Sequence, residues 1–164
     1  MSIPRIVLVG PPGAGKTTVG RLVAAELDLP FRDTDTDVET AAGKSVAEVF
    51  YDDGEQAFRA LERAAVATAL AEHTGVLSLG GGAVLDPATR TALGQHDVVL
   101  LSVGLADAAR RVGLSRDRPV LALNPRAALH QLLAERMPLY LEVAGRTVET
   151  DGKTPRQVAA EVLA

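Results

Sequence analysis

The sequence contains a glycine-rich segment, Gly10-Pro-Pro-Gly-Ala-Gly-Lys-Thr-Thr18, that matches the Walker A phosphate-binding pattern in full. Glycines let consecutive backbone N–H groups converge on phosphate oxygens, and a following helix adds the positive end of its dipole. Lys16 can neutralise the β- and γ-phosphates, and Thr17 can offer its hydroxyl to Mg²⁺. A plain Gly/Pro-rich turn is the alternative, but an apolar strand precedes the segment and a helical pattern follows it. The segment therefore predicts binding of a nucleoside triphosphate.

A second group of reactive side chains lies in Phe31-Arg-Asp33-Thr-Asp35-Thr-Asp37, after a short second strand. One of the carboxylates Asp33 and Asp35 can face Mg²⁺ while the other orients an acceptor hydroxyl and takes its proton. The alternative is a helix N-cap cluster, because Asp and Thr cap helices well and acidic residues favour a first turn. The residues alone leave both interpretations open.

Two arginines are candidates for binding an anionic substrate. Arg59 could equally form a helix-surface ion pair with Glu55, four residues before it. Arg136 falls on the apolar stripe of a predicted helix, so its guanidinium must either reach outward to solvent or meet an anion. Bidentate guanidinium binding suits a carboxylate.

Three consecutive glycines, Gly80 to Gly82, follow a buried strand. They could simply permit a tight turn, or they could clear side chains from a surface that a polar ring approaches. The three histidines show no metal-ligand spacing, so we expect surface positions for His73, His96 and His130. Phe58 and Leu61 are assigned to core packing.

Several classes of protein are disfavoured by what the sequence lacks. No apolar strand ends in the Asp-Glu pair typical of hydrolytic ATPases, and no Asn/Thr-Lys-x-Asp motif for reading guanine occurs. A net charge of −4 argues against a nucleic-acid partner, and the absence of cysteine excludes disulfides and thiolate metal sites. No apolar stretch approaches the roughly 18 residues that span a bilayer. We therefore expect a cytoplasmic protein without a membrane partner.

The elements that must position these residues follow an alternating pattern. Apolar runs at residues 6–9, 76–79 and 97–102 alternate with Ala/Leu-rich helical segments such as Lys16 to Leu27, which predicts a parallel α/β sheet in a single domain. For helix boundaries, the sequence predicts a capping box at Ser45-Val-Ala-Glu48, an N-cap followed by proline at Thr154-Pro155, and a kink or an end at Pro138 in the helix begun near Arg126. The connection at residues 113–125 is long, which indicates either a functional loop or a short turn of structure.

Six motifs follow one another along essentially the whole chain: the phosphate loop, Asp33-Thr-Asp35, Asp53-Gly-Glu-Gln-Ala-Phe-Arg59, Leu79-Gly-Gly-Gly-Ala83, Arg116-Asp-Arg-Pro119 and Arg136-Met-Pro-Leu-Tyr140. In this order they resemble the motifs of shikimate kinases. Two departures are small: Val120 stands where the family usually has Leu, and the loop lacks a further basic residue seen in some members.

The resemblance implies a P-loop kinase domain over residues 1–164, similar to nucleoside monophosphate kinases. It would have a five-stranded parallel sheet flanked by helices, a substrate-binding region near residues 33–61 and a lid near residues 113–125. The implied reaction converts MgATP and shikimate to ADP and shikimate 3-phosphate, in aromatic amino acid synthesis. The implied partners are these small molecules, and the expected state is a monomer.

The resemblance also implies roles for individual residues. Lys16, Asp35 and Arg118 would be catalytic, and Thr17 and Asp33 would face the metal. The carboxylate of shikimate would be held by Arg59 and Arg136, with Asp35 on the acceptor hydroxyl and a backbone contact from Gly81. ATP would be bound by Gly13, Ala14, Gly15, Lys16, Thr17, Thr18, Arg111, Arg118, Lys153 and Pro155.

Two rival hypotheses remain at this point. One is another small-molecule kinase of similar shape, such as a gluconate kinase, whose sugar-acid pocket would differ from a pair of arginines. The other is a nucleotide-dependent switch that binds ATP without turnover. An acceptor-side carboxylate at Asp35 argues against the switch, because a protein that only binds ATP has no use for one.

Overall fold

Five strands form one parallel sheet in the computed structural model, which describes residues 3–112 and 125–164. The strand order is β2-β3-β1-β4-β5, and every neighbouring pair runs parallel. The five-stranded parallel sheet implied by the motifs is confirmed. The strands are β1 (Ile6–Val9), β2 (Phe31–Asp33), β3 (Val76–Ser78), β4 (Val98–Ser102) and β5 (Arg146–Glu149).

Helices connect these strands and cover both faces of the sheet. Within the described ranges they are α1 (Lys16–Leu27), α2 (Thr34–Ala42), α3 (Val46–Asp53), α4 (Glu55–Glu72), α5 (Pro87–Leu93), α6 (Leu105–Val112), α7 (Pro125–Val143) and α8 (Pro155–Leu163), with a short 3₁₀ helix at Ala83–Leu85. The predicted capping box at Ser45 is present, and Thr154 caps α8 with Pro155 at its first position. None of the described helices has the length and apolar character needed to cross a bilayer.

The central strands are buried on both faces, as their unbroken apolar runs predict. In β1, Ile6 and Leu8 pack into a core shared with α1, α7 and α8. Val7 and Val9 pack into a second core on the opposite face, shared with α4, α5 and α7. Because successive side chains of a strand point to opposite faces, one short strand supplies both cores.

A third, smaller core lies away from the sheet in the segment predicted to bind the substrate. Val38 of α2, Val49 of α3 and Phe58 of α4 are its buried members, and Leu61 packs against them. The rings of Phe50 and Phe58 lie 4.8 Å apart. This cluster holds α2, α3 and α4 together, and it confirms the core assignment of Phe58 and Leu61.

The structure contradicts the surface position expected for His73 and one of the two outcomes expected at Pro138. Helix α7 does not end at Pro138 but continues to Val143, because the buried residues Tyr140 and Val143 extend its apolar stripe beyond the proline. His73 is buried rather than exposed, and its Nε2 lies 3.0 Å from the carbonyl oxygen of Val76, so it ties the end of α4 to β3. His96 is half-buried, and burial lowers its pKa.

Candidate active site

The phosphate loop leaves β1 at Gly10 and enters α1 at Lys16. Gly10 has φ +152°, and a Cβ there would lie 2.5 Å from the carbonyl oxygen of Leu101, so only glycine fits between β1 and β4. Gly15 caps α1 with φ +89°, and no side chain satisfies the first-turn amides. A helix start whose N–H groups lack a capping side chain is the geometry that binds phosphate.

Lys16 lies back over the loop. Its Nζ donates to the carbonyl oxygen of Gly10 at 2.7 Å and to that of Pro11 at 3.1 Å. These bonds hold the ammonium group beside the amides that would receive phosphate, so cation and helix terminus converge on one point.

Asp33 caps α2 and also contacts the first turn of α1. It is the N-cap of α2, where its Oδ1 accepts from the backbone N–H of Asp35 at 2.9 Å. Its Oδ2 accepts from the Thr17 hydroxyl at 2.9 Å. The N-cap and metal-site interpretations are therefore compatible, because the two carboxylate oxygens face different partners.

Asp35 lies in the first turn of α2, whereas Asp33 is the last residue of β2. Its side chain contacts the glycine run: a Cβ on Gly80 would lie 2.4 Å from Asp35 Oδ1. Residues two apart in a strand share a face, so it is the change from strand to helix that directs the two carboxylates differently.

The glycines of the run leave room for neighbouring side chains, and their backbone conformation does not itself require glycine. No glycine from Gly80 to Gly82 has a positive φ, so other residues could adopt this backbone. A Cβ on Gly82, however, would lie 2.2 Å from an Arg59 guanidinium nitrogen. The structure thus shows close approach by the Asp35 and Arg59 side chains, and the approach of a polar ring stays a prediction.

Arg59 forms the surface pair with Glu55, at 3.4 Å, and also a shorter bond that the sequence analysis missed. Its NH1 donates to Glu62 Oε1 at 2.9 Å, and the Glu62 side chain is only 5% exposed. Burial raises the pKa of Glu62 above its ordinary range and Asp35 adds to this, although Arg59 and Arg136 oppose it. Glu62 therefore lies among the acceptor-side residues and fixes the Arg59 guanidinium.

Arg136 is 9% exposed, so its guanidinium does not reach outward to solvent. A Cβ on Gly81 would lie 3.5 Å from its NH1, which places the guanidinium against the glycine run. The guanidinium of Arg136 therefore lies beside Gly81 and that of Arg59 beside Gly82, so both lie along the glycine run.

The other end of the site is closed by the β5–α8 connection. Arg111 of α6 donates from NH1 to the Gly13 carbonyl oxygen at 3.2 Å and to the Thr150 hydroxyl at 2.9 Å. Its NH2 donates to the Thr150 carbonyl oxygen at 2.9 Å. Lys153 pairs with Glu161 of α8. Arg111 thus connects the phosphate loop to the segment that carries Lys153.

One cavity of about 430 Å³ contains most of the predicted site. It extends from the phosphate loop and Arg111 to Asp35 and the first two residues of the glycine run. Its lining includes Gly13, Ala14, Gly15, Lys16, Thr17, Thr18, Asp33, Asp35, Gly80, Gly81, Arg111, Lys153 and Pro155. Arg59 and Glu62 line a smaller cavity of about 200 Å³ next to Gly82. The predicted lid, with Arg118 and Val120, lies outside the described residues apart from Pro125, where α7 begins.

The sequence did not identify four residues whose polar side chains contribute to this region: Thr34, Glu62, Tyr140 and Thr150. Glu62 had a signal, because it falls on the apolar stripe of α4 between Phe58 and Val66, just as Arg136 does on α7. The two threonines had none, since a threonine at a helix start or a strand end reads as an ordinary cap.

Comparison with known proteins gives a consistent family match. The family model described as "Shikimate kinase" matches residues 12–164. A shikimate kinase of Salinispora arenicola is 62% identical over 161 residues, covering 98% of this chain and 96% of the relative. One of Streptomyces avermitilis is 54% identical over 163 residues, covering 99% and 95%.

A solved structure agrees with the sequence comparisons. Shikimate kinase from Acinetobacter baumannii, in complex with shikimate, superposes with a TM-score of 0.94 and is 38% identical. The match covers 98% of this chain and 90% of that one. The similarity therefore extends over the fold as well as the motifs.

Proposed function

The chain belongs to the shikimate kinase family, an ATP-dependent kinase family, and we propose that the cavity described above transfers the γ-phosphoryl group of MgATP to the 3-hydroxyl of shikimate. The products are ADP and shikimate 3-phosphate, in the shikimate pathway that leads to aromatic amino acids. The observation that carries this assignment is that one cavity holds both a phosphate-binding loop and an acceptor-side carboxylate, Asp35.

The phosphate loop and Lys16 bind the β- and γ-phosphates. The uncapped first turn of α1 supplies N–H donors, and the Lys16 ammonium group lies beside them. Arg111, Lys153 and Pro155 line the far end of the cavity, where the base would lie. Arg118 would neutralise the migrating group from the lid.

The residues beside the phosphate loop fit Mg²⁺. The Thr17 hydroxyl and the Asp33 carboxylate are hard oxygen ligands 2.9 Å apart, and Mg²⁺ typically takes one or two protein oxygens together with phosphates and water. Within residues 3–112 and 125–164 no cluster of three or more His, Cys, Asp or Glu could hold a metal, as a site completed by phosphates would lead one to expect. When bound, Mg²⁺ would offset the negative charge of the phosphate oxygens.

Asp35 acts on the acceptor hydroxyl. In the transfer, the 3-hydroxyl oxygen of shikimate bonds to the γ-phosphorus, and the bond from that phosphorus to the β–γ bridging oxygen breaks. The hydroxyl proton passes to Asp35, which also orients the oxygen for in-line attack. The glycine run removes the side chains that would otherwise occupy the space beside this carboxylate.

Arg59 and Arg136 bind the carboxylate of shikimate. Their guanidinium groups approach the glycine run at Gly82 and at Gly81, and a planar guanidinium can donate two parallel hydrogen bonds to a carboxylate. The Glu62 carboxylate accepts a hydrogen bond from the Arg59 guanidinium and holds it in place. The backbone of Gly81 supplies a further polar contact to the ring.

Coupled ADP release tests the assignment directly. MgATP is supplied with shikimate, with gluconate or with no acceptor, and release is expected only with shikimate. Release with gluconate would move the assignment to another sugar-acid kinase. ATP binding without release in any reaction would favour a nucleotide switch.

The remaining parts of the proposal concern where and in what form the enzyme works. We place it in the cytoplasm as a monomer that binds neither nucleic acid nor membrane, supported by the net charge of −4 and the absence of cysteine. Multi-angle light scattering should give a mass near 17.1 kDa, and a doubled mass would contradict the monomer.

A further inference from the structure

The backbone of the glycine run is held by two side-chain hydroxyls, one from each side. Thr34 of α2 accepts from the Gly80 N–H through its Oγ1 at 3.1 Å. Tyr140 of α7 donates its hydroxyl to the Gly81 carbonyl oxygen at 2.6 Å. Both side chains are fully buried. Neither residue is among those that bind ATP or shikimate in the proposed reaction.

These two bonds fix two peptide planes, and the plane that joins Gly80 to Gly81 lies between them. The Gly80 N–H belongs to the plane between Leu79 and Gly80, and the Gly81 carbonyl to the plane between Gly81 and Gly82. The central plane turns its carbonyl inward, where Gly80 O accepts from Ala83 N at 3.0 Å. Its N–H, that of Gly81, therefore points away from the turn, and no acceptor among the described residues takes it. Gly81 lines the cavity, so this donor is available to a ligand.

Glycines make such restraint necessary. Three glycines in succession have more backbone freedom than any other tripeptide, and ordering them at the moment of binding would cost affinity. Two buried hydroxyl bonds order them in advance, which lowers the cost of binding.

The hydroxyls also connect the run to the side chains that bind the substrate. Thr34 directly precedes Asp35, and Tyr140 lies one helical turn after Arg136. Burial raises the pKa of Tyr140 to about 12, with Arg136 opposing this, so the hydroxyl keeps its proton and remains a donor at any working pH.

We infer that Thr34 and Tyr140 are positioning residues that hold the glycine run in register with Asp35 and Arg136, so that the Gly81 N–H meets the substrate. This inference rests on the proposed function. It adds two residues whose hydroxyls bond to the glycine backbone, and the Tyr140 hydroxyl also interacts with the Arg136 guanidinium.

The test removes each hydroxyl while keeping its volume. Tyr140→Phe is expected to weaken shikimate affinity about three- to tenfold, the range for one neutral hydrogen bond, and Thr34→Val by about tenfold because it leaves a buried N–H unpaired. Calorimetry with shikimate and, separately, with ADP gives both affinities below the unfolding temperature, and ADP affinity should stay within twofold. Thr34→Ser keeps the hydroxyl and should restore shikimate binding.

Matched controls are available on the surface. Tyr51→Phe on α3 and Thr36→Val on α2 remove exposed hydroxyls of the same kinds and should leave both affinities unchanged. If Tyr140→Phe and Thr34→Val lower the melting temperature but leave shikimate affinity within twofold, the two residues are merely structural and the inference is wrong. Equal loss of ADP and shikimate affinity would overturn it as well. Failure of the unaltered enzyme to bind shikimate would instead refute the proposed function, and this inference with it.

Discussion

Asp35 is the residue on which turnover should depend most. Its carboxylate contacts Gly80 inside the cavity that holds the phosphate loop, and in the proposed reaction it is the group that takes the proton of the acceptor hydroxyl. Asp35→Asn keeps the size and shape of the side chain and removes the carboxylate that would accept the proton. We expect kcat to fall at least about 100-fold, the lower end for a positioned general base, with ADP affinity within twofold.

The control for this variant is a second carboxylate, two residues further along the chain. Asp37→Asn, on the same helix, removes a carboxylate that pairs with Arg32 near the surface. Its turnover should stay within twofold of the unaltered enzyme. Equal losses in the two variants would show that helix α2, and not the Asp35 carboxylate, limits the reaction.

Glu62 should make stability depend on pH. Burial raises its pKa above the ordinary 4.5, so the folded protein holds this proton more tightly than the unfolded chain. The contribution of Glu62 to stability is therefore fully present below pH 4.5 and is lost as the pH rises through the raised pKa. Glu62→Gln is neutral throughout and lacks this dependence.

Denaturant unfolding from pH 4 to pH 8 measures the effect. The free energy of unfolding of the unaltered enzyme, minus that of Glu62→Gln, should decrease as the pH rises and then become constant. Glu26→Gln, which removes an exposed carboxylate on α1, provides the control. A difference that increases with pH would mean that the Arg59 pair outweighs burial.

At the scale of the elements, a substitution in the glycine turn between β3 and the 3₁₀ helix should weaken substrate binding without lowering the stability of the fold. Gly82→Ala places a Cβ on the Arg59 guanidinium, which is the flexible end of a side chain and can move. Shikimate affinity should fall about tenfold or more, the loss expected from a displaced charge-assisted bond, while the melting temperature changes little. Gly145→Ala, which meets only an ordinary 3.7 Å contact, is the control in calorimetric titrations. Unchanged affinity in Gly82→Ala would remove Arg59 from the binding site.

The elements also differ in how far their sequences predict them. Strands β1 and β4 are apolar throughout because helices cover both faces, and this pattern is visible without a structure. Strand β5, Arg-Thr-Val-Glu, is an edge strand with one buried residue, so nothing in its composition distinguishes it from a loop. The persistence of α7 beyond Pro138 depends on the tertiary packing of Tyr140 and Val143, which outweighs the local tendency of proline to interrupt a helix.

At the scale of the whole molecule, the site residues converge because all strands run in one direction. Their carboxyl ends meet at one edge of the sheet, where β1 leads to the phosphate loop, β2 to Asp33, β3 to Gly80 and β5 to Thr150. Motif order predicts which residues act, and the parallel topology predicts this common edge. The contacts between them, such as Glu62 with Arg59, depend on how α4 and α7 pack and could not be predicted from spacing.

Because the ligands bind residues from several elements, each should stabilise the entire fold. At about 100 times its dissociation constant a ligand adds about 2.7 kcal/mol, which corresponds to roughly 5–10 °C in melting temperature for a domain of this size. In Arg136→Ala the shift with ADP should persist, because the phosphate loop and α8 are unaltered, while the shift with shikimate should disappear. Differential scanning calorimetry with each ligand measures both shifts, and comparing shifts rather than absolute temperatures removes any stability lost with the buried arginine. A shikimate shift retained in this variant would mean that the acid binds elsewhere, since a guanidinium buried against the glycine run cannot be dispensable to a carboxylate bound there.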